Sequence, residues 1–181
     1  MAFSKFALFA AVAILAAVPA FGAPTQYSGY ATCSDALADI PGYTYVIKML
    51  SNCPDLNAMH SDPTQQKTFF VPSNAAIEQV AAAVGVPVEK VTGPELKGIM
   101  CQFLKNHVVN GKHMLDSWTL NQQFTSNYFG SKLSVVAVGD VPQVKSKHSD
   151  VASIDKVATC GQSVAYALNT VLAPFPLPKL G

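Results

Sequence analysis

The stretch Thr68-Phe69-Phe70-Val71-Pro72-Ser73-Asn74 decides the fold of this 181-residue chain. Its aromatic and β-branched residues predict a short strand. Pro72 has no amide hydrogen to extend a ladder, so the strand stops there. Ser73 or Asn74 can then accept a hydrogen bond from an orphan backbone N–H and open a helix. Ile77, Val80, Ala81 and Val84 follow at i, i+3, i+4, i+7, and Gly85 closes the helix. The reading is a buried strand that turns sharply into a core-facing helix.

Upstream, residues 23–31 read as an extended lead-in. Ser34 can cap a short helix carrying Leu37 and Ile40, which Pro41-Gly42 breaks. A second helix places Tyr43, Val46, Ile47 and Leu50 on one face and ends near Asn52-Cys53-Pro54. A polar loop over 59–67 leads into the strand. Downstream, residues 86–94 read as a linker. Pro94 suits the first turn of a helix, where a missing N–H costs nothing. In that helix Leu96, Ile99, Met100, Phe103, Leu104, His107 and Val108 form one apolar stripe, with Cys101 toward its edge and Gly111 as its stop.

From His113 onward the pattern turns to strands. Residues 133–138 are β-rich, Gly139-Asp140 makes a turn, and residues 143–147 return as a hairpin partner. Residues 151–157 form another candidate strand. After a tight turn at 159–162, Val164, Tyr166 and Leu168 alternate with small residues as a half-buried strand, which residues 171–174 complete. Helices first and strands later, with no internal repeat, predict a single α+β domain.

Residues 1–22 carry the three parts of a secretory signal. Lys5 supplies the charge, an apolar run ends at Pro19, and Ala20-Phe21-Gly22 supplies small residues before Ala23. The run is shorter than the ~20 apolar residues of a membrane span. Without Lys5 the remaining lysines balance the acids, because the whole chain has 12 basic residues, all lysine, against 11 acidic ones. A nucleic-acid binder would show a basic face and arginine forks. The even charge also gives no support for docking on anionic lipid. Cys33, Cys53, Cys101 and Cys160 remain after cleavage. An even count in an exported chain reads as two disulfides. Three connectivities are possible, and nearness along the chain favours Cys33–Cys53 with Cys101–Cys160. No CxxC or HxxxH spacing suggests zinc.

Three segments, in order and at matching spacing, resemble the fasciclin (FAS1) family. Residues 68–76 resemble its first signature, T-x-F-x-P-[ST]-N-x-A. Residues 104–112 are similar to its central L-x-Y-H-V-V-x-G-K segment. Residues 161–174 are similar to its second signature, a glycine turn and an alternating strand ending V-L-x-P. The resemblance spans residues 32–176, leaving 23–31 as an N-terminal extension and 177–181 as a tail. It implies a β-sandwich wedge with a cluster of packed helices, and a secreted adhesion, matrix or cell-wall module. Its partner would be an extracellular protein or glycan. The tail has neither the spacer nor the apolar stretch of a GPI signal, so a freely secreted single-domain form is expected.

One departure matters. The family's central Tyr-His pair has been connected with adhesion, and here the tyrosine position is Asn106. A small amide cannot serve as an aromatic anchor. His107 matches; its place on the apolar stripe predicts a core histidine, with Asn74 as a candidate hydrogen-bond partner. Asn74 reads as a helix-start anchor. No asparagine stands in an Asn-x-Ser/Thr sequon.

The reading is therefore a non-enzymatic binding module with no cofactor and no metal. A secreted hydrolase is the first alternative. Against it, residues 161–165 miss the last glycine of a G-x-S-x-G elbow, and Asp35 and Asp39 read as a solvated helix face. His107 and His113 lie six apart across a helix end, which is no ligand spacing. A small-ligand carrier, with a pocket between helices and sheet, is the second alternative.

Overall fold

The computed structural model describes residues 22–180, so the export-signal reading lies outside the described residues. The strands are β1 (Thr25–Tyr30), β2 (Lys67–Pro72), β3 (Val108–Asn110), β4 (Gln123–Thr125), β5 (Lys132–Ala137), β6 (Gln143–Ser146), β7 (Ala152–Cys160) and β8 (Ser163–Leu168). The helices are α1 (Cys33–Asp39), α2 (Thr44–Ser51), α3 (Pro54–Ser61), α4 (Asn74–Val84), α5 (Val88–Thr92) and α6 (Lys97–Lys105). The architecture is α+β, as expected.

One sheet runs β3-β2-β8-β7-β6-β5-β4, and β1 joins β7 off this path. The β1–β7 and β2–β8 pairs are parallel; the other pairs are antiparallel. The two ends of the path meet again. A single antiparallel bridge joins Val109 to Ser126, so the sheet rolls until β3 touches the end of β4.

This rolling creates two cores, and strand periodicity sorts residues between them. On β2, Phe69 and Val71 enter the helix-side core while Phe70 enters the core enclosed by the sheet. On β8, Ala165 and Ala167 face the helices, whereas Val164, Tyr166 and Leu168 face inward. The expectation of a half-buried strand is thus corrected: all six residues of β8 are buried. Alanine on the helix side lets α1 approach the sheet closely, and large residues fill the interior. There Phe70, Trp118, Phe124 and Tyr166 interlock, with ring centroids 5.1–6.3 Å apart.

The β2-to-α4 corner forms as read. Ser73 caps α4 by accepting the Ala76 N–H at 3.3 Å, and Gly85 ends it in the left-handed region. Gly161, in the two-residue turn between β7 and β8, has φ +54°. A Cβ there would meet the Pro63 and Ala31 carbonyl oxygens at 2.5 and 2.8 Å, so only glycine fits.

Several boundaries differ from the sequence reading. Thr32, not Ser34, caps α1, in a capping box with Asp35. Residues 54–61, which the sequence reading divides between a helix end near Pro54, an unassigned stretch and the start of the 59–67 loop, form α3, and α5 occupies part of the expected linker. The α6 helix stops at Lys105. Val108 and Val109 continue its apolar run only in sequence; β-branched, they pair with Phe69 and Thr68 on β2 as a strand. Residues 171–173 are buried without being a strand.

The disulfides join Cys33 to Cys160 and Cys53 to Cys101, with Cα–Cα separations of 4.9 and 5.6 Å. Neither pair expected from sequence nearness forms. The end of β7 runs beside the start of α1, so topology places Cys160 on Cys33. Cys101, at the edge of its stripe, reaches the residue that opens α3.

Candidate functional site

The central pair begins where α6 ends. Asn106 is its C-cap, and the chain then turns into β3. Asn106 is fully buried. Its Nδ2 donates to the Leu172 carbonyl at 2.7 Å and to Ser146 Oγ at 3.2 Å; its Oδ1 accepts from Ser126 Oγ at 2.9 Å. Ser146 in turn donates to the Ala173 carbonyl at 2.8 Å. One amide thus joins the ends of α6, β4 and β6 to the segment around Leu172.

His107 is also buried, at 2 % exposure. The Leu172 N–H can only donate, and it reaches His107 Nε2 at 2.9 Å. Nε2 must therefore be the lone-pair nitrogen, and the proton lies on Nδ1, which donates to the Phe103 carbonyl at 2.9 Å. The ring is neutral: burial pushes its pKa down to about 4. His60 behaves alike, donating from Nδ1 to the Leu56 carbonyl at 2.8 Å, with burial lowering its pKa to about 4. Among the described residues no buried side-chain nitrogen or oxygen lacks a partner. The central pair is a structural latch on residues 172–173, closed to solvent.

Asn74 does not touch His107. Its Oδ1 accepts the Tyr45 N–H at 3.1 Å and its Nδ2 donates to Thr44 Oγ1 at 2.9 Å. Tyr43, the residue opening α2, makes no side-chain cap. Asn74 supplies that cap from another helix, because Tyr45 carries one of the orphan N–H groups of the first turn of α2.

The other residues singled out from sequence are dispersed. Asp35 closes the α1 capping box, and Asp39 accepts the Tyr30 hydroxyl at 2.7 Å. Ser163 is buried and donates to the Gln65 carbonyl. The apolar space beneath the helices, bordered by Ala36, Tyr43, Ala158, Ala165 and Ala167, amounts to about 20 Å³. That is room for one water-sized group, not for a carried ligand.

A larger open groove of about 310 Å³ lies where β3 and β4 splay apart from their single bridge. Asn110, Gln122, Gln123 and Thr125 line it, with His113 at its wall. His113 packs on Phe124 with ring centroids 4.9 Å apart and planes tilted by 42°, and its Nε2–H donates to the Asn110 carbonyl at 2.9 Å. Among the described residues no carboxylate lines the groove. Lys67 Nζ donates to Asn110 Oδ1 and Lys132 Nζ to Thr125 Oγ1, both at 2.6 Å, so an ammonium flanks each wall.

Beyond Thr125 the β4–β5 hairpin closes through Tyr128-Phe129-Gly130-Ser131, with the Ser131 N–H donating to the Tyr128 carbonyl at 2.8 Å. Phe129 and Gly130 have φ of 45° and 71°, the signs of a type I′ turn. Phe129 is 89 % exposed, and its ring meets Tyr128 edge-on. Sequence reading overlooked both features. The groove joins elements distant in sequence, but a phenylalanine before a glycine between two strands, where Asn or Asp is usual, was a usable local signal.

These features define a disulfide-bonded α+β module with its central pair sealed inside. The fasciclin-domain profile matches residues 41–174, and the chain belongs to the fasciclin domain family. A similar fold occurs in the FAS1 domain pair of the insect cell adhesion molecule fasciclin I, at 17 % identity and a TM-score of 0.52. The likeness covers 71 % of this chain and 44 % of that one, less than half the length of the pair. A search of curated proteins found no match. Family membership supports, in general terms, an extracellular adhesion-type module. Among the described residues no helix is long and apolar enough to cross a membrane.

Proposed function

We propose that this chain is a secreted, non-catalytic module that holds a matrix, cell-wall or cell-surface component through its exposed loops and strand ends. The supporting observation is the burial of Asn106 and His107 inside a fasciclin fold. An imidazole bonded on one side to the Phe103 carbonyl and on the other to the Leu172 N–H has no lone pair left for a substrate. Recognition then falls to the surface, and the two disulfides suit an oxidising exterior.

The test is a binding survey of the purified mature chain against extracellular proteins and glycans at physiological salt, together with N-terminal sequencing of the protein from culture medium. Retention of a matrix or wall component, and a mature start at Ala23, are the expected results. Turnover of ester, peptide or glycoside substrates that disappears in His107→Ala with the fold intact would overturn the reading.

A further inference from the structure

The aromatic hairpin tip adjoins the groove between β3 and β4 through Thr125, with Phe129 itself outside the groove's lining. Thr125 lines the groove, and its Cγ2 is the atom nearest the open side of Gly130, 3.9 Å from where a Cβ would stand. Phe129 is anomalous there on two counts. Positive φ is strained for a bulky side chain, and the first central position of a type I′ turn prefers Asn or Asp. Its ring is also left in water, with only the edge of Tyr128 beside it. Folding alone gains nothing from phenylalanine here, and an exposed ring held in a strained turn is a marker of recognition.

The lining states what is recognised. Primary amides and a hydroxyl pair with sugar hydroxyls as both donors and acceptors. Among the described residues the amide NH2 groups of Asn110 and Gln122 have no protein acceptor. Beyond Thr125, the exposed Phe129 ring offers an apolar face for the C–H surface of a sugar that extends past the groove. A groove of about 310 Å³, open rather than enclosed, suits a segment of a chain more than a single small molecule. The charge is one-sided: ammonium groups at Lys67 and Lys132 flank the walls, and among the described residues no carboxylate lines them. The geometry points to this groove as a binding site for a carboxylate-bearing polysaccharide, its hydroxyls on the amides, its carboxylates toward the lysines and one residue against Phe129. This rests on the proposed binding function and narrows it to one surface and one ligand class.

Polygalacturonate, its methyl ester and a neutral cello-oligosaccharide serve as probes, with affinity measured by calorimetry at low and physiological salt. The acid form is expected to bind, to weaken as salt rises, and to exceed the methyl ester roughly tenfold, because rim ammonium groups distinguish the two. Phe129→Asn should weaken binding about tenfold while leaving thermal unfolding unchanged or raised, since Asn suits the turn better. A joint Lys67→Gln and Lys132→Gln variant should remove the preference for the acid. Equal binding of acid and ester, or full binding by Phe129→Asn, overturns the inference. If the three saccharides fail but an extracellular protein is held, the inference falls and the binding function stands. If nothing is held, both fall.

Discussion

His107 Nε2 accepts the Leu172 N–H at 2.9 Å across 65 residues of sequence. This bond, with the Asn106–Leu172 carbonyl bond beside it, closes both backbone groups of one residue onto the end of α6. The central family segment therefore acts as a clasp, and its effects should be read in stability.

Replacing His107 with alanine leaves the Leu172 N–H without a partner in a dry interior and removes one of the two donors to the Phe103 carbonyl, which keeps the Asn106 N–H. The expected loss is about 3 kcal/mol, from one unsatisfied donor and a cavity. Urea unfolding checks it; a loss under about 1 kcal/mol would show that the clasp is dispensable.

Acid should loosen the domain well before the carboxylates titrate. His107 and His60 both have folded pKa values near 4, below the ordinary histidine value of 6.5. Between those limits the unfolded chain binds more protons than the folded one. Their contribution is therefore full above pH 6.5 and is lost as pH falls toward 4, at about 1.4 kcal/mol per pH unit for each ring. Denaturant midpoints measured from pH 7.5 to 4.5 should fall steadily, and less steeply in His107→Gln. A flat profile contradicts the burial of these rings as neutral species.

Restoring tyrosine at Asn106 should not restore an adhesive anchor. The position is fully buried against Ser126, Ser146 and Leu172, so a larger ring overpacks it and takes a hydrogen bond from each of three polar partners, of which Ser126 and Ser146 keep another. Asn106→Tyr is expected to cost about 2–3 kcal/mol, with unchanged binding per folded molecule. A stable variant that gains an exposed tyrosine, seen by solvent quenching of its fluorescence, would refute this.

Asn74→Ala should uncap α2 at a distance and cost about 1–2 kcal/mol, whereas Asn74→Asp keeps the acceptor for the Tyr45 N–H and should lose less. Amide hydrogen exchange at Tyr45 separates this from a general loss. Equal losses in both variants would remove the capping explanation.

Reduction should destabilise strongly. The disulfides close separations of 127 and 48 residues, each worth about 4–5 kcal/mol in the chain-entropy model. Thermal unfolding with and without dithiothreitol measures the effect, and an unmoved midpoint would contradict it.

Much of the architecture was legible in local pattern. The β2–α4 corner reads directly, because a strand period, a proline stop and a helix period follow one another within a few turns. The α3 helix was hidden because only Leu56 and His60 of its eight residues are buried, too few to mark a face. The end of α6 was misplaced because Val108 extends an apolar spacing that both a helix and a strand satisfy. His107 was legible as a core residue from its stripe; its partner was not, since no local rule links position 107 to 172. The cysteine pairing failed for the same reason: it follows the path of β7 back to α1, which only the assembled sheet reveals. The groove shares this cause, being made where two strand ends diverge.

The clasp also orders events in time. Residues 172–173 close the interior and Cys160 returns to Cys33, so a chain emerging amino-end first cannot complete this domain until residues 160–173 are out. Under the proposed secretion, such a polypeptide would enter a translocation pore before these closing contacts can form.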